Sequence, residues 1–320
     1  MSPSLPLDPQ LVLLLAAVAL DALLGDPHYP LHPIRLLGHA SIALERWLFA
    51  RGWDGRLAGV LHALAVTLGT VGAWWLGHRL LAALHPLLGW LWDLFIAYSL
   101  LCTRDLLAHG RRVLLVLDDL PAARERLRWL VSRDTGELGR GGVVRATIES
   151  LAENLTDGVL TPLWALALFG LPGLVVVKAV SSLDSMVGYR NARYGRFGWA
   201  AARTDDAMHW LPARLSVPLI AAAAALLGEH WRSVLPAALR WHAVLPSPNS
   251  GWSEAAAAGA LRVRLAGPGR YHGQPIQRPW IGADAWPVDL DAADLRRALW
   301  LVGVAAGLAS LVAVGLCLAV

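Results

Sequence analysis

The chain has 320 residues, of which 56% are hydrophobic and only 16% charged, and its mean hydropathy is +0.48. These values exceed ordinary soluble usage and exclude a typical water-soluble domain; they predict an integral membrane protein. The formal net charge of +4 is almost wholly arginine, with Lys178 the single lysine and no dense basic run, so nucleic acid is not an expected partner. Cys102 and Cys317 stand far apart beside apolar segments, which excludes a disulfide framework and a cysteine metal site. Sixteen tryptophans against four phenylalanines fit interfacial anchoring, or contact with a large flat ligand.

In chain order, the apolar segment at about 8–25 suits a thin or tilted span. It lacks the basic start and cleavage pattern of a signal peptide and is expected to be retained. It runs into Gly25-Asp26-Pro27-His28-Tyr29-Pro30-Leu31-His32-Pro33-Ile34-Arg35, where three prolines predict a rigid extended turn. Asp26, His28, His32 and Arg35 there fit either a capped interfacial loop or functional groups at the end of a span. A short amphipathic helix is expected at 42–48. Apolar segments at 57–77 and 80–101 follow, separated by Gly77-His78-Arg79, which predicts a tight hairpin between two spanning helices.

Residues 103–134 read as soluble amphipathic helix, restarted at Pro121 and followed by a glycine-rich link. The apolar segment 159–180 contains Phe169-Gly170-Leu171-Pro172-Gly173, a break that predicts two short helices folded back on each other. Further apolar segments lie at 211–227 and 298–320. Before the last, Leu261-Arg262-Val263-Arg264-Leu265 alternates with period two, Gly267-Pro268-Gly269 predicts a turn, and 271–276 a return strand.

The expected fold is therefore mainly α: a polytopic integral membrane helical bundle with large helical loops on the cytoplasmic side and a small β-hairpin near 261–276. It is read as one membrane-embedded catalytic unit over 1–320, with polar motif loops at 26–56, 102–158, 181–210 and 228–297. Arginines crowd the first two loops, which places those loops in the cytoplasm and the N-terminus outside. If every polar motif shares that side, 211–227 is not a simple single crossing.

The most distinctive stretch is Arg145-Ala-Thr-Ile-Glu149-Ser150-Leu-Ala-Glu153-Asn154-Leu-Thr-Asp157-Gly158. As a helix it stacks Arg145, Glu149, Glu153 and Asp157 at successive four-residue steps. Three carboxylates on one stripe repel unless a cation or several donors neutralise them. A divalent metal site near a membrane surface fits, and so does a solvated helix face with an Arg145–Glu149 pair. Downstream, Leu183-Asp184-Ser185-Met186-Val187-Gly188-Tyr189 and Asp205-Asp206 add polar groups, although adjacent aspartates on a helix diverge by about 100°. No Walker A loop, paired-histidine zinc motif, nucleophile elbow or dinucleotide fingerprint is present. Grouped carboxylates with abundant arginine suit Mg²⁺-dependent phosphate chemistry.

Seven stretches in order resemble the adenosylcobinamide-phosphate synthase family, the CbiB/CobD-type membrane proteins of cobalamin biosynthesis. They are Gly25-Asp26-Pro27 with His32-Pro33-Ile34-Arg35; Val131-Ser132-Arg133-Asp134-Thr135; the carboxylate stretch from Arg145 to Gly158; Leu183 to Tyr189; Asp205-Asp206; Pro212-Ala213-Arg214-Leu215; and Ser247-Pro248-Asn249-Ser250-Gly251-Trp252-Ser253-Glu254-Ala255. Leu155-Thr156 stands where the family usually has Thr-Val, and Ser181-Ser182 where it favours Asn-Thr.

The resemblance implies an ATP-dependent ligase of the bacterial cytoplasmic membrane. It would join adenosylcobyric acid, a corrinoid, to aminopropanol or aminopropanol phosphate through an amide, with Mg²⁺ and association with other cobalamin-pathway enzymes expected. On chemical grounds Glu149, Glu153 and Asp157 are the expected holders of Mg²⁺-ATP. Asn154, Asp134, Ser185 and Tyr189 stand as further nucleotide-side contacts, and Arg133 and Arg145 face phosphates. Asp184, Asp205 or Asp206 completes the metal site or takes the proton of the nucleophilic ammonium. Asn249, Trp252 and Glu254 line the corrinoid side. The competing classes are a transporter or non-catalytic corrinoid-binding membrane protein, and a membrane alcohol phosphotransferase.

Overall fold

The computed structural model describes residues 8–26, 29–131, 133–271 and 274–319. Pro27, His28, Ser132 and the segment 1–7, which the sequence reading also used, lie outside them. Among the described residues, five helical runs have the length and apolarity to cross a bilayer: Arg56–Leu84, Pro86–Leu115, Arg140–Val187, Trp199–Leu226 and Ala292–Ala319. The protein is a mainly α, polytopic membrane protein. Its chain divides into two compact units, one formed by the described parts of 1–102, 161–208 and 310–320, the other by 103–160 and 209–309.

The first unit contains α1 (Pro9–Leu24), α2 (Pro33–Phe49), α3 (Arg56–Leu84), α4 (Pro86–Leu100) and α8 (Thr161–Val187), with the first turns of α9 (Trp199–Leu226) and the end of α12 (Ala292–Ala319). Its core joins Leu37 and Leu48 of α2, Ala58 and Val66 of α3, Ala179, Leu183 and Val187 of α8, and Phe197. Outward leucines such as Leu57, Leu64, Leu68, Leu80 and Leu84 leave α3 apolar around its circumference, as lipid contact requires. α2 begins earlier than expected. Proline at the first helical position loses no hydrogen bond, so Pro33 starts the helix, and the His32 ring accepts from the Ile34 N–H at 3.3 Å.

The hairpin expected at Gly77-His78-Arg79 does not form there. α3 runs straight through it, and the chain turns eight residues later at His85-Pro86. Gly77 instead makes room for the neighbouring helix: a Cβ there would lie 2.7 Å from the Trp92 ring. His78 pairs with Asp93 at 2.9 Å, and Asp93 also accepts from the Trp74 indole at 2.9 Å. Side-chain pairing between α3 and α4 thus holds the polar residues within the helix.

α8 is interrupted at Gly170, whose φ of 65° and ψ of −164° only glycine adopts readily. Eight residues of straight helix rise about 12 Å, yet a Cβ on Gly173 would lie 2.9 Å from the Ala165 carbonyl oxygen. The chain therefore folds back at the break. Gln10 of α1 donates to the carbonyls of Leu166 and Ala167 at 3.2 and 2.7 Å, satisfying acceptors that the break exposes.

The second unit contains α5 (Thr103–Leu115), α6 (Leu120–Leu127), α7 (Arg140–Asn154), a π-helical turn (Leu155–Leu160), the remainder of α9, α10 (Trp231–Trp241), α11 (Ser250–Leu261) and most of α12. Pro212 and Pro218 sit inside α9 without ending it. α11 is alanine-rich and buried at every described position except Trp252, the pattern of a helix enclosed on all sides.

A small antiparallel β pair does lie within 261–276, with strands other than those expected. Leu265–Ala266 (β1) pairs with Trp280–Ile281 (β4), and Gly269–Tyr271 (β2) pairs with Gln274–Ile276 (β3). α11 extends through Leu261 and closes on Arg262 at φ 52°, so the alternating residues 261–265 are half helix cap and half strand. Ala266 and Gly267, at φ 58° and 78°, bend the chain away before Gly269 can close a turn.

Candidate active site

α7 and α11 lie side by side in the second unit, with β1 against α7. This places Glu149 and Glu153 of α7 beside Glu254 of α11, and the guanidiniums of Arg133 and Arg278 face the same group of carboxylates. Glu149 and Glu254 are only 4% and 5% exposed. One Glu149 oxygen accepts from Arg133, in a short contact, and the other accepts from the Ala266 N–H at 2.8 Å. Arg145 Nε lies 3.9 Å from the second oxygen. Glu149 is thus held by two guanidiniums and one backbone amide from three segments.

Among the described residues, Glu254 has no comparable cage. Burial is the first cause that raises its carboxyl well above the usual carboxylate range; Glu153 and Glu149 add to the rise, and Arg133 and Arg278 oppose it. A buried carboxyl among like charges either keeps its proton or waits for a cation.

The four-residue stripe is not continued to Asp157. The helix widens into a π turn at Leu155–Leu160, which puts Asp157 out of phase with Glu149 and Glu153. Asp157 instead lies 3.5 Å from Nδ1 of buried His209 on α9. Among the described residues no three His, Cys, Asp or Glu side chains converge as a ready metal cage. Glu149, Glu153 and Asp157 therefore do not surround one point.

Asn154 donates to the Ser150 carbonyl at 2.9 Å, and the Ser150 hydroxyl to the Leu130 carbonyl at 2.8 Å, tying α7 to the segment that carries Arg133. Arg133, Asp134 and Thr135 line a polar cleft of about 630 Å³ with Arg124 and Arg128. Asp134 is held by its N–H, which donates to the Arg270 carbonyl at 3.1 Å.

Asn249 is 4% exposed at the head of α11. Trp252 stacks on His242 with ring centroids 4.0 Å apart, and the Arg214 guanidinium lies 5.0 Å from its ring centre. The Trp252 indole N–H is buried and has no hydrogen-bond partner among the described residues. Arg145 and Arg264 both approach the Trp280 ring, at 4.9 and 5.0 Å.

The other sequence candidates belong to the first unit. Asp184 lies near the end of α8, its carboxylate against the Gly188 backbone, and the Ser185 hydroxyl donates to the Ser181 carbonyl at 3.0 Å. Tyr189 is exposed, with its ring 6.5 Å from that of Tyr194. Asp205 and Asp206 share the second turn of α9, and Arg203 lies 3.5 Å from Asp206. Arg278, His242 and Trp280 escaped the sequence reading, and His209, close to Asp205-Asp206 in sequence, reads there as structural. Arg278 sits in irregular chain between β3 and β4, and Trp280 opens the two-residue β4, too short for periodicity to mark; His209 is four residues beyond Asp205, a helical spacing that brings it into the site only once α9 is known to be continuous.

The CobD/Cbib protein family model matches residues 14–302. The chain is 42% identical over 280 residues to "Cobalamin biosynthesis protein CobD" of Geobacter metallireducens, covering 87% of this chain and 88% of that protein. It is 39% identical over 303 residues to the protein of the same name from Photorhabdus laumondii, covering 92% and 94%. To "Cobalamin biosynthesis protein CbiB" of Salmonella typhimurium it is 37% identical over 301 residues, covering 92% and 93%. No solved structure matches the chain. With a family model spanning most of its length and such relatives covering nine-tenths of it, this chain belongs to the CobD/CbiB protein family.

Proposed function

We propose that this protein works in cobalamin biosynthesis as an ATP-dependent amide-forming ligase, joining aminopropanol phosphate, or aminopropanol, to the carboxyl of adenosylcobyric acid. The observation that carries the reading is the meeting of Glu149, Glu153 and Glu254 with Arg133, where Arg133 also lines the arginine-rich cleft. Family membership supplies the pathway. Arginine forks suit phosphate oxygens, and the cleft offers Arg124, Arg128 and Arg133 together.

The chemistry asks for such a site. Hydroxide leaves a carboxylate poorly, so the acid is activated first: its oxygen attacks the γ-phosphorus of ATP, ADP departs, and an acyl phosphate forms. The amine nitrogen then attacks the acyl carbon, phosphate leaves, and the ammonium proton passes to a base. Arg133 and its cleft neighbours bind the nucleotide phosphates and offset charge on the acyl phosphate. Glu254, buried beside Glu149 and Glu153 with its carboxyl raised above the usual carboxylate range by burial, is the base within this unit. The Trp252 N–H meets an amide carbonyl on the corrinoid, and Asn249 lies beside it at the head of α11.

Mg²⁺ is commonly held by one or two carboxylates plus substrate phosphates, not by an all-protein cage. Glu153 fits that donor set and would hold an ion that arrives with the nucleotide, whose charge neutralisation the ion supplies. Glu149 is already occupied by Arg133 and the Ala266 amide.

Purified, lipid-reconstituted protein should convert cobyric acid, aminopropanol phosphate and ATP into amide with one ADP and one phosphate released per product. Glu153→Gln should abolish most turnover while the protein stays folded. Corrinoid binding without ATP consumption would remove the ligase reading, and near-normal turnover of Glu153→Gln with an unchanged magnesium requirement would remove Glu153 from the site.

A further inference from the structure

Within the first unit, α2, α3, α4 and the part of α8 beyond Gly170 enclose a cavity of about 820 Å³. Its wall is apolar and aromatic, with Leu37, Leu44, Val66, Trp74, Trp92 and Phe95. Three side chains on it carry polar groups that matter. The Thr70 hydroxyl is satisfied, donating to the Val66 carbonyl at 2.8 Å. The Tyr29 hydroxyl is buried and has no hydrogen-bond partner among the described residues. Lys178, the only lysine in the chain, has neither an acidic partner nor a hydrogen bond among them.

A lone ammonium on an apolar wall between helices of spanning length is unfavourable unless something anionic meets it. A small soluble anion would satisfy the charge and leave the wall unfilled. A neutral apolar molecule would fill the wall and leave both donors unpaired. Only an amphiphile with an anionic head answers both demands, and a cavity of about 820 Å³ that is open on one side takes the head and part of the chains of such a molecule. We infer that this cavity binds one anionic phospholipid, acyl chains against the aromatic wall and phosphate on Lys178 and the Tyr29 hydroxyl. The inference does not depend on the ligase reading.

The test is native mass spectrometry of detergent-purified protein equilibrated with equal amounts of phosphatidylglycerol and phosphatidylcholine. Wild type should retain one phosphatidylglycerol in about tenfold preference, because both headgroups bring a phosphate to Lys178 but the choline cation of phosphatidylcholine offsets its charge there; tenfold corresponds to about 1.4 kcal/mol. Lys178→Arg should keep that preference, and Lys178→Met, which keeps length and apolarity, should bring it close to unity. Gly69 lines the cavity, and a Cβ there meets nothing within 4 Å. Gly69→Phe should therefore fill the space and reduce retention of both lipids while elution volume and thermal midpoint hold. Equal retention of the two lipids by wild type overturns the proposal. So does an unchanged preference in Lys178→Met, wild-type retention in Gly69→Phe, or release of the lipid by stoichiometric cobyric acid.

Discussion

At the residue scale, Glu149 and Glu254 show how two buried carboxyls that act on each other electrostatically come under different regimes. Glu149 is held by Arg133 and the Ala266 amide. Removing one partner of a buried pair leaves the other charge uncompensated, at a cost of about 3–5 kcal/mol. Arg133→Met should therefore lower the thermal midpoint in detergent strongly, and adding Glu149→Met should recover part of the loss. Glu254 behaves in reverse. Its carboxyl titrates above the usual range, so the folded state holds a proton that the unfolded chain has already released. That contribution is full below the ordinary glutamate value and is lost as pH climbs toward the raised one. Glu254→Gln should raise the midpoint relative to wild type at pH 8, and the gap should close as pH falls toward the ordinary carboxylate range; a gap independent of pH would contradict this. Arg133, Glu149, Glu153 and Glu254 were all legible as candidates because chemistry and motif spacing both marked them. Arg278 was not, because its approach to them is set by the path of an irregular loop.

At the scale of elements, composition marked the apolar stretches, while their ends depended on contacts between neighbours. α3 passes through Gly77-His78-Arg79 because Asp93 and the Trp92 ring on α4 accept those residues, information absent from the local string. α2 starts at Pro33 because a proline read as a breaker is harmless in a first turn. The break in 159–180 was legible because Gly170, Pro172 and Gly173 act through their own backbones. Replacing Gly170 forces an L side chain into a region of φ and ψ that costs about 1–3 kcal/mol. Gly170→Ala should lose about that much in a detergent denaturation series, and Gln10→Leu should lower stability by stranding the carbonyls it now satisfies. An unchanged midpoint in both variants would mean that the fold-back does not govern the stability of this unit.

At the scale of the whole molecule, hydropathy and helix length agree on a multi-pass membrane protein. The arginine distribution carries the expectation that the polar loops face the cytoplasm, and labelling tests it. In a background lacking Cys102 and Cys317, single cysteines at Gly136, Tyr189 and Ser247 should react with a membrane-impermeant maleimide only when the cytoplasmic face is open. Opposite sidedness at any pair would overturn the expected orientation. The division of the chain into units was not legible, because each unit is assembled from segments far apart in sequence.

The π turn at Leu155–Leu160 decides which substitutions act independently. It gives Asp157 to His209 and leaves Glu153 with Glu254. Groups without shared partners contribute additively to free energy, and groups in one electrostatic network do not. The effects of Glu153→Gln and Asp157→Asn on stability should therefore sum, although a helical wheel would place the two on one face. Those of Glu153→Gln and Glu254→Gln should fall short of their sum, because either change alone relieves the same repulsion. One extra residue per turn thereby divides four residues of chain into two separate thermodynamic accounts.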